Sequence, residues 1–228
     1  VTFSRKKLTL SIMNKKITIL LIDDHPVVRT GYRRLLESNS EMLVIGEADN
    51  GESGYQMWQQ FTPNVTILDL NMLGICGFET MRRILSYDAT ARILIFSMLN
   101  NVTMVHRAIK AGATGFISKQ SGIGEMVHAV QQVSLGKTYI ESDLATALVM
   151  HATRTENHET LLDALTNREF QIFKLVAEGY SNTAIAEKIS ISPKTVSVHH
   201  LNLMRKLDLQ NTTQLIRMAI NYSIIQKQ

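Results

Sequence analysis

Five residues with the chemistry of a reactive site each follow a short apolar run of the chain. Asp23 and Asp24 come directly after ITILLI, and Asp69, Ser97 and Lys119 end later runs. Clustered carboxylates repel one another unless a cation neutralises them, and Mg²⁺ prefers oxygen ligands. A carboxylate can also attack phosphorus, and a lysine and a hydroxyl can then bind the phosphoryl oxygens. These residue types predict metal-assisted phosphoryl chemistry if the fold brings them together.

Taken one at a time, the same residues have ordinary structural explanations. Asp24 can cap a helix that begins near Pro26, because aspartate is a favoured N-cap. Ser97 can also be a cap, and Lys119 can be a solvated surface residue. Only their convergence on one edge would make a site, so the question is which elements position them.

Residues 16–137 alternate strand and helix patterns. The strand patterns are short, β-branched and continuously apolar, as in strands buried on both faces. They are ITILLI, MLVIGEA, NVTILDL, ARILIF and ATGFIS. The helical patterns cover Val27–Glu37, Gly51–Phe61, Phe78–Leu85, Val102–Ala111 and Ile123–Leu135. The alternation predicts an α/β domain with a five-stranded parallel sheet, whose ligands bind beyond the carboxyl ends of the strands.

The chain after Leu165 has only helical patterns. Thr166 and Glu169 form a capping-box signature, and Ser181 and Ser192 are N-cap signals for two further helices. TTQLIRMAINYSII makes a fourth helix. A helix, a tight turn and a second helix with a polar start are typical of a helix-turn-helix that binds DNA. On this pattern alone, a plain four-helix domain that contacts other proteins stays open.

The domain boundaries follow from composition. Residues 138–160 are assigned as a linker with a helix at Ser142–Ala152, between a domain at 16–137 and a helix-turn-helix domain at 161–228. Residues 1–15 form a basic tail. Met13 is a second candidate translation start, in which case residues 1–12 would lie upstream of the native protein.

Composition excludes several classes of protein. The 228 residues are 45 % hydrophobic, enough for two packed cores. The single cysteine, Cys76, rules out an internal disulfide framework and fits a cytoplasmic protein. No apolar run is long enough for a membrane span. The last 69 residues are net basic, which alone is weak evidence for a nucleic-acid partner.

Residues 16–137 strongly resemble the receiver domain of two-component response regulators. The resemblance rests on LLIDDH, TILDLNMLGICGFE, ILIFS and AGATGFISK, in that order. It implies a flavodoxin-like, doubly wound sheet with strand order 2-1-3-4-5. It further implies that Asp69 is the phosphoacceptor, and that Mg²⁺ is held by Asp23, Asp24, Asp69 and the backbone carbonyl of Asn71.

The resemblance also implies a switch. Lys119 would pair with the phosphoryl group, Ser97 would move to bond it, and Phe116 would turn inward behind Ser97. The chain departs from the family at Leu73, where most receivers have proline. Proline stiffens a loop by fixing φ, so Leu73 is expected to alter phosphorylation rates without removing a reactive group.

Residues 164–225 resemble the LuxR-type helix-turn-helix, and with the receiver this resembles a NarL/FixJ-family regulator. Its recognition helix would be about Pro193–Leu207. The residues implied to face DNA are Lys194, Thr195, Ser197, Val198 and His200. Family members often have a cation at the position of Ser197 and another near His200 or Leu201, so the chain is expected to bind DNA more weakly and with less salt dependence.

Two points remain open at the level of sequence. His199 and His200 could gain charge in mild acid, but the preferred interpretation is that one packs and the other makes a neutral contact. The last helix resembles the one through which such domains dimerise, with Leu215 and Met218 as the candidate contacts.

The leading hypothesis is a cytoplasmic transcription factor that a histidine kinase phosphorylates on Asp69. It would bind an inverted repeat in double-stranded DNA as a homodimer and would catalyse no turnover of an external substrate. A Mg²⁺-dependent phosphatase would use much the same residues, but the chain lacks an evident further acid or base and the helix-turn-helix would be unexplained. A LuxR-type sensor of a small molecule fits the strand-end acids poorly.

Overall fold

An open sheet of parallel strands forms the N-terminal domain. The structure is a computed structural model and describes residues 16–70, 72, 77–98, 102–154, 161–189, 191–222 and 224–225. The strands are β1 (Ile17–Ile22), β2 (Met42–Ala48), β3 (Val65–Leu68), β4 (Ile93–Ser97), β5 (Gly115–Ser118) and β6 (Tyr139–Ile140).

The strand order is β2-β1-β3-β4-β5-β6, and every neighbouring pair is parallel. The predicted order of the first five strands is confirmed, but the predicted count of five is wrong. Tyr139 pairs with Gly115 and Ile140 with Phe116, which adds a sixth strand at the edge. A strand of two residues has no recognisable hydrophobic pattern in the sequence. It forms because β5 offers a free edge with unpaired backbone groups.

Helices on both faces cover the sheet: α1 (Pro26–Ser38), α2 (Gly51–Phe61), α3 (Gly77–Tyr87), α4 (Val102–Lys110) and α5 (Ile123–Ser134). Successive strand residues belong to different core clusters. Leu20 and Ile22 pack on one face of the sheet with α2 and α3, while Ile19 and Leu21 pack on the other with α1 and α5. This double burial explains why the strands are continuously apolar rather than alternating.

The C-terminal domain begins with a 3₁₀ turn at Leu161–Ala164 and continues with α7 (Asn167–Ala177), α8 (Asn182–Lys188), α9 (Pro193–Lys206) and α10 (Thr212–Asn221). The predicted caps are present: Thr166 and Glu169 form the capping box, and Ser181 and Ser192 accept backbone N–H groups. Among the described residues, no helix combines the length and apolarity needed to cross a bilayer.

The helix predicted in the linker is present and packs on the N-terminal domain. It extends over Ser142–Arg154 (α6), directly follows β6, and packs against α4. Leu144 is buried in the same core cluster as Met104 and Ala108 of α4. Residues 139–154 are therefore attached to the N-terminal domain rather than forming a free connection.

A buried arginine on α4 holds the C-terminal domain. Arg107 is 7 % exposed, and its guanidinium donates to the backbone oxygens of Leu162 and Leu165 and, at 3.3 Å, to Asn167 Oδ1. The guanidinium also lies 4.5 Å from the centre of the Phe170 ring, within cation–π range. Each of these partners belongs to the first two turns of the C-terminal domain, so one side chain of α4 binds the base of the helix-turn-helix.

We expect Arg107→Gln to loosen the contact between the domains. The shorter, neutral side chain removes charged hydrogen bonds to two buried carbonyl groups, each worth about 1.5–3 kcal/mol. Small-angle X-ray scattering of the unphosphorylated protein should then show a larger radius of gyration. Arg34→Gln, an exposed arginine on α1, is the matched control. An unchanged scattering curve for Arg107→Gln would contradict the assignment.

Candidate functional site

The carboxyl edge of the sheet collects a buried cluster of opposite charges. Asp23 follows β1, Asp69 follows β3 and Lys119 follows β5. The Lys119 ammonium lies 2.6 Å from Asp23 Oδ2 and 2.6 Å from Asp69 Oδ2. The side chain of Lys119 is 5 % exposed, that of Asp23 is 7 % exposed and that of Asp69 is 1 % exposed. The sequence prediction that these strand-end residues converge is confirmed by this geometry.

The protonation state of Lys119 follows from its surroundings. Burial by itself lowers the pKa of Lys119, but the negative charges of Asp69 and Asp23 and their hydrogen bonds outweigh it, so the pKa lies above the ordinary value. The side chain is therefore a fixed cation at neutral pH. It offsets part of the negative charge of the two buried carboxylates, which would otherwise repel each other more strongly.

His25 takes part in this cluster, although it was not among the predicted site residues. Its Nδ1 atom lies 2.8 Å from Asp24 Oδ1 and 3.1 Å from Asp23 Oδ1. Its backbone N–H also donates to Asp23 Oδ1 at 2.8 Å. The signal in the sequence that could have identified His25 is its position directly after two aspartates. The Arg29 guanidinium donates a hydrogen bond to the backbone oxygen of Asp23, so N–H donors contact both the side chain and the backbone of Asp23.

The donor atoms suit a hard divalent cation. Asp23, Asp24, Asp69 and His25 each place one ligand atom within 4.8 Å of the others. Three of these are carboxylate oxygens on two strand ends, which is the donor type that Mg²⁺ prefers. Asn71, the predicted backbone ligand, lies outside the described residues, as does Leu73.

The predicted switch residues lie beside the cluster. Ser97 ends β4, is fully buried and pairs across the sheet with Ser118, and its backbone oxygen accepts the N–H of Lys119 at 2.9 Å. Phe116 on β5 is 0 % exposed and pairs with Ile95 of β4. Ser97 and Phe116 therefore lie where the charged edge of the sheet meets β4, the strand that precedes α4.

Gly77 opens α3 directly beneath Asp69. A Cβ atom added at Gly77 would lie 2.1 Å from the backbone oxygen of Asp69 and 2.8 Å from the Cα atom of Leu70. No side chain fits at these distances. The physical reason for glycine at this position is that α3 must approach the strand end closely.

The recognition helix, α9, presents its predicted residues unequally. Lys194, Thr195, Ser197 and Val198 are exposed on its first two turns. His200 is partly buried, and its Nε2 atom is buried without a hydrogen-bond partner among the described residues. The imidazole is thus turned partly into the domain, which agrees with the interpretation that one of the two histidines packs.

Two basic side chains at the end of α9 have different surroundings. The Lys206 ammonium lies 2.7 Å from Glu169 Oε2 and donates to the backbone oxygen of Ala164. Burial raises the pKa of Glu169, but the Lys206 and Thr166 hydrogen bonds outweigh it and the pKa lies below its usual value. Lys206 therefore ties α9 to α7, whereas Arg205 is exposed.

The two candidate dimer contacts also differ. Leu215 on α10 is 0 % exposed and belongs to the core of the C-terminal domain, so its prediction as a surface contact is wrong. The prediction rested on the resemblance of this helix to a dimerising helix, which does not specify which face of α10 turns toward the core. Met218 is partly exposed and stays a prediction.

Comparisons with known proteins agree with this arrangement. Residues 19–131 match the response regulator receiver domain, and residues 163–219 match the luxR family of bacterial regulatory proteins. The response regulator GacA of Pseudomonas aeruginosa is 31 % identical over 209 residues, 92 % of this chain and 98 % of GacA. The nitrate/nitrite response regulator protein NarL of Escherichia coli K12 is 35 % identical over 199 residues, 86 % of this chain and 92 % of NarL.

A solved complex of the two-component response regulator RcsB with DNA has a similar structure. It covers 89 % of this chain and 96 % of its own chain, with 25 % identity and a TM-score of 0.57. A receiver fold with an acidic strand-end cluster, joined to a helix-turn-helix, defines a two-component regulator of transcription. Within that class, the chain belongs to the NarL/FixJ family of response regulators.

The burial of His200 predicts a pH dependence of stability. Burial lowers the pKa of His200 below 6.5, so the unfolded chain binds this proton more readily than the folded domain. The stability linked to His200 is therefore full above about pH 6.5 and is lost as the pH falls through the folded pKa. Histidine NMR of the full chain should show a titration midpoint for His200 below 6.5. A midpoint at or above that value would contradict the burial argument.

Replacement of Leu215 should affect folding rather than association. Leu215→Ala leaves a cavity in the C-terminal core, and such changes cost about 2–5 kcal/mol. Urea unfolding followed by circular dichroism measures this loss. Arg217→Ala, an exposed neighbour on α10, should change the free energy of unfolding by less than about 0.5 kcal/mol. A Leu215→Ala protein with the same free energy of unfolding as the wild type would instead support Leu215 as a surface contact.

Proposed function

We propose that a histidine kinase controls this regulator by transferring a phosphoryl group to Asp69. The observation that carries the proposal is the contact of Lys119 with both Asp23 and Asp69 at a buried strand edge. An oxygen of the Asp69 carboxylate would form a bond to phosphorus while the phosphorus–nitrogen bond of a phosphohistidine breaks. The imidazole nitrogen of the kinase keeps the electron pair, and the product is an aspartyl phosphate.

The neighbouring residues have distinct tasks in this proposal. Asp23, Asp24 and Asp69 would hold Mg²⁺, together with the backbone oxygen of Asn71. Mg²⁺, when bound, supplies positive charge that offsets the charge developing on the phosphoryl oxygens. The Lys119 ammonium, already 2.6 Å from Asp69 Oδ2, would move its hydrogen bond to a phosphoryl oxygen.

The Ser97 and Phe116 pair supports a route from this site to the C-terminal domain. Ser97 would bond the phosphoryl group, with Phe116 buried behind it. Movement of Ser97 shifts the end of β4 and hence α4, which carries Arg107. Because Arg107 binds the backbone of Leu162 and Leu165, a shift of α4 changes the contact that holds the helix-turn-helix. The phosphorylated form would thus favour a different domain arrangement.

The output is regulated binding to DNA. The exposed first turns of α9, with Lys194, Thr195, Ser197 and Val198 at the surface, support entry into a major groove. We propose a cytoplasmic protein that binds an inverted repeat as a homodimer, with Met218 at or near the dimer contact. Acceptance of the phosphoryl group on Asp69 and its later hydrolysis would be the protein's only covalent chemistry, without turnover of an external substrate.

Loss of the Asp69 carboxylate tests the acceptor assignment. Asp69→Asn should reduce phosphate incorporation from acetyl phosphate and Mg²⁺ to background, because an amide oxygen is a poor nucleophile. Intact-protein mass spectrometry measures the adduct. Asp49→Asn changes an exposed aspartate just beyond β2, at the same edge of the sheet, and should leave incorporation unchanged. Normal labelling of Asp69→Asn would show that another residue accepts the phosphoryl group.

A further inference from the structure

One face of the recognition helix combines two cations with two large apolar side chains. Lys194, Val198, Leu201 and Arg205 recur at spacings of four, three and four residues, so they share one side of α9. All four are exposed, and Val198 and Leu201 are 52 % and 61 % exposed. We call these four residues the reading stripe.

The apolar centre of the reading stripe has no structural task within the described chain. The core-facing side of α9 is formed by Val196, Leu203 and Leu207, which are at most 3 % exposed. Val198 and Leu201 face away from that core, at the side that the other domain leaves open. Two neighbouring large apolar residues on the surface of an otherwise polar helix indicate a binding partner with apolar features.

The hydroxyl groups beside the stripe are already engaged. Thr195 Oγ1 lies 2.8 Å from Ser192 Oγ, and the Ser197 hydroxyl donates to the backbone oxygen of Pro193 and accepts from Asn182. These local bonds complete the first turn of α9 and compete with bonds to base edges. Val198 and Leu201 have no polar atoms in their side chains, so they make no such competing bonds and are exposed to a partner.

We propose that Val198 and Leu201 read the methyl groups of thymine in the major groove. The C5-methyl group of thymine is the apolar feature that the major groove offers to a protein. This inference rests on the proposed DNA-binding function and deepens it. It predicts a site in which thymines at neighbouring base pairs contribute to affinity, rather than guanines bound by arginine or lysine.

The dimensions of the reading stripe fit this groove. Val198 and Leu201 are separated by about 4.5 Å along the helix axis, close to the spacing of about 3.4 Å between successive base pairs. Lys194 and Arg205 are separated by about 16 Å along the same axis, and the major groove is about 12 Å wide. The terminal cations can therefore contact phosphates on both sides of the groove while the centre meets the bases.

Replacing thymine by uracil removes the methyl group and keeps the hydrogen-bonding edges, so it isolates the proposed contact. The probe is a duplex selected from a randomised library by the full-length protein, prepared with thymine or with uracil. Burial of one methyl group contributes about 0.8 kcal/mol, so we expect about fourfold weaker binding for each contacted methyl that is lost. Fluorescence anisotropy measures both dissociation constants.

Leu201→Ala should weaken binding to the thymine duplex and reduce the difference between the two duplexes. Leu201→Lys should also lose that difference and should steepen the salt dependence by about one phosphate contact. Val149→Ala, which truncates an exposed apolar residue on α6, is the matched control and should behave as the wild type. Leu201 is exposed, so circular dichroism melting should show all variants folded.

Two results would overturn the proposal while leaving DNA binding intact. One is equal binding of the thymine and uracil duplexes by the wild type. The other is an unchanged difference in Leu201→Ala together with a loss of self-association in sedimentation, which would assign the stripe to a second copy of the chain. If no duplex is enriched, with or without acetyl phosphate, the DNA-binding function itself fails and the inference fails with it.

Discussion

The contact of one ammonium group with two buried carboxylates is the constraint on which the N-terminal domain depends. Asp23 and Asp69 lie at the ends of adjacent central strands, and their charges could not remain buried together without the Lys119 cation from β5. The arrangement forces three strand ends into one geometry. In the proposed mechanism, a phosphoryl group on Asp69 would redirect this cation, so the contact that stabilises the site would also respond to phosphorylation.

In the proposed mechanism, a contact made by Arg107 would carry that local change to the C-terminal domain. α4 follows β4, whose last residue is Ser97, and Arg107 from α4 is buried against the start of the C-terminal domain. The recognition helix remains exposed in this docked arrangement. The Arg107 contact therefore holds the start of the C-terminal domain and leaves exposed the residues of α9 that are proposed to meet DNA.

The parts of the fold that sequence predicted well are those encoded by local pattern. Each of these features depends on neighbouring residues, so its signal lies within a short window of sequence. They are the five predicted strands, the helix at Ser142 and the caps at Thr166, Ser181 and Ser192. The sixth strand was missed because its two residues pair only where β5 offers a free edge. Leu215 was misassigned because the face of α10 that turns inward is decided by its packing against α7.

The sequence by itself determined the chemical inventory: three acids, a hydroxyl and a lysine, each placed at the end of an apolar run. Parallel-sheet topology then required these ends to share one edge, which is why the site was predictable. Only the tertiary structure decided that His25 joins the acids, that Gly77 must lack a side chain, and that Arg107 spans the domains. These contacts depend on how closely separate segments of the chain approach one another and on the path of the backbone between them. The spacing of residues along the sequence does not specify either.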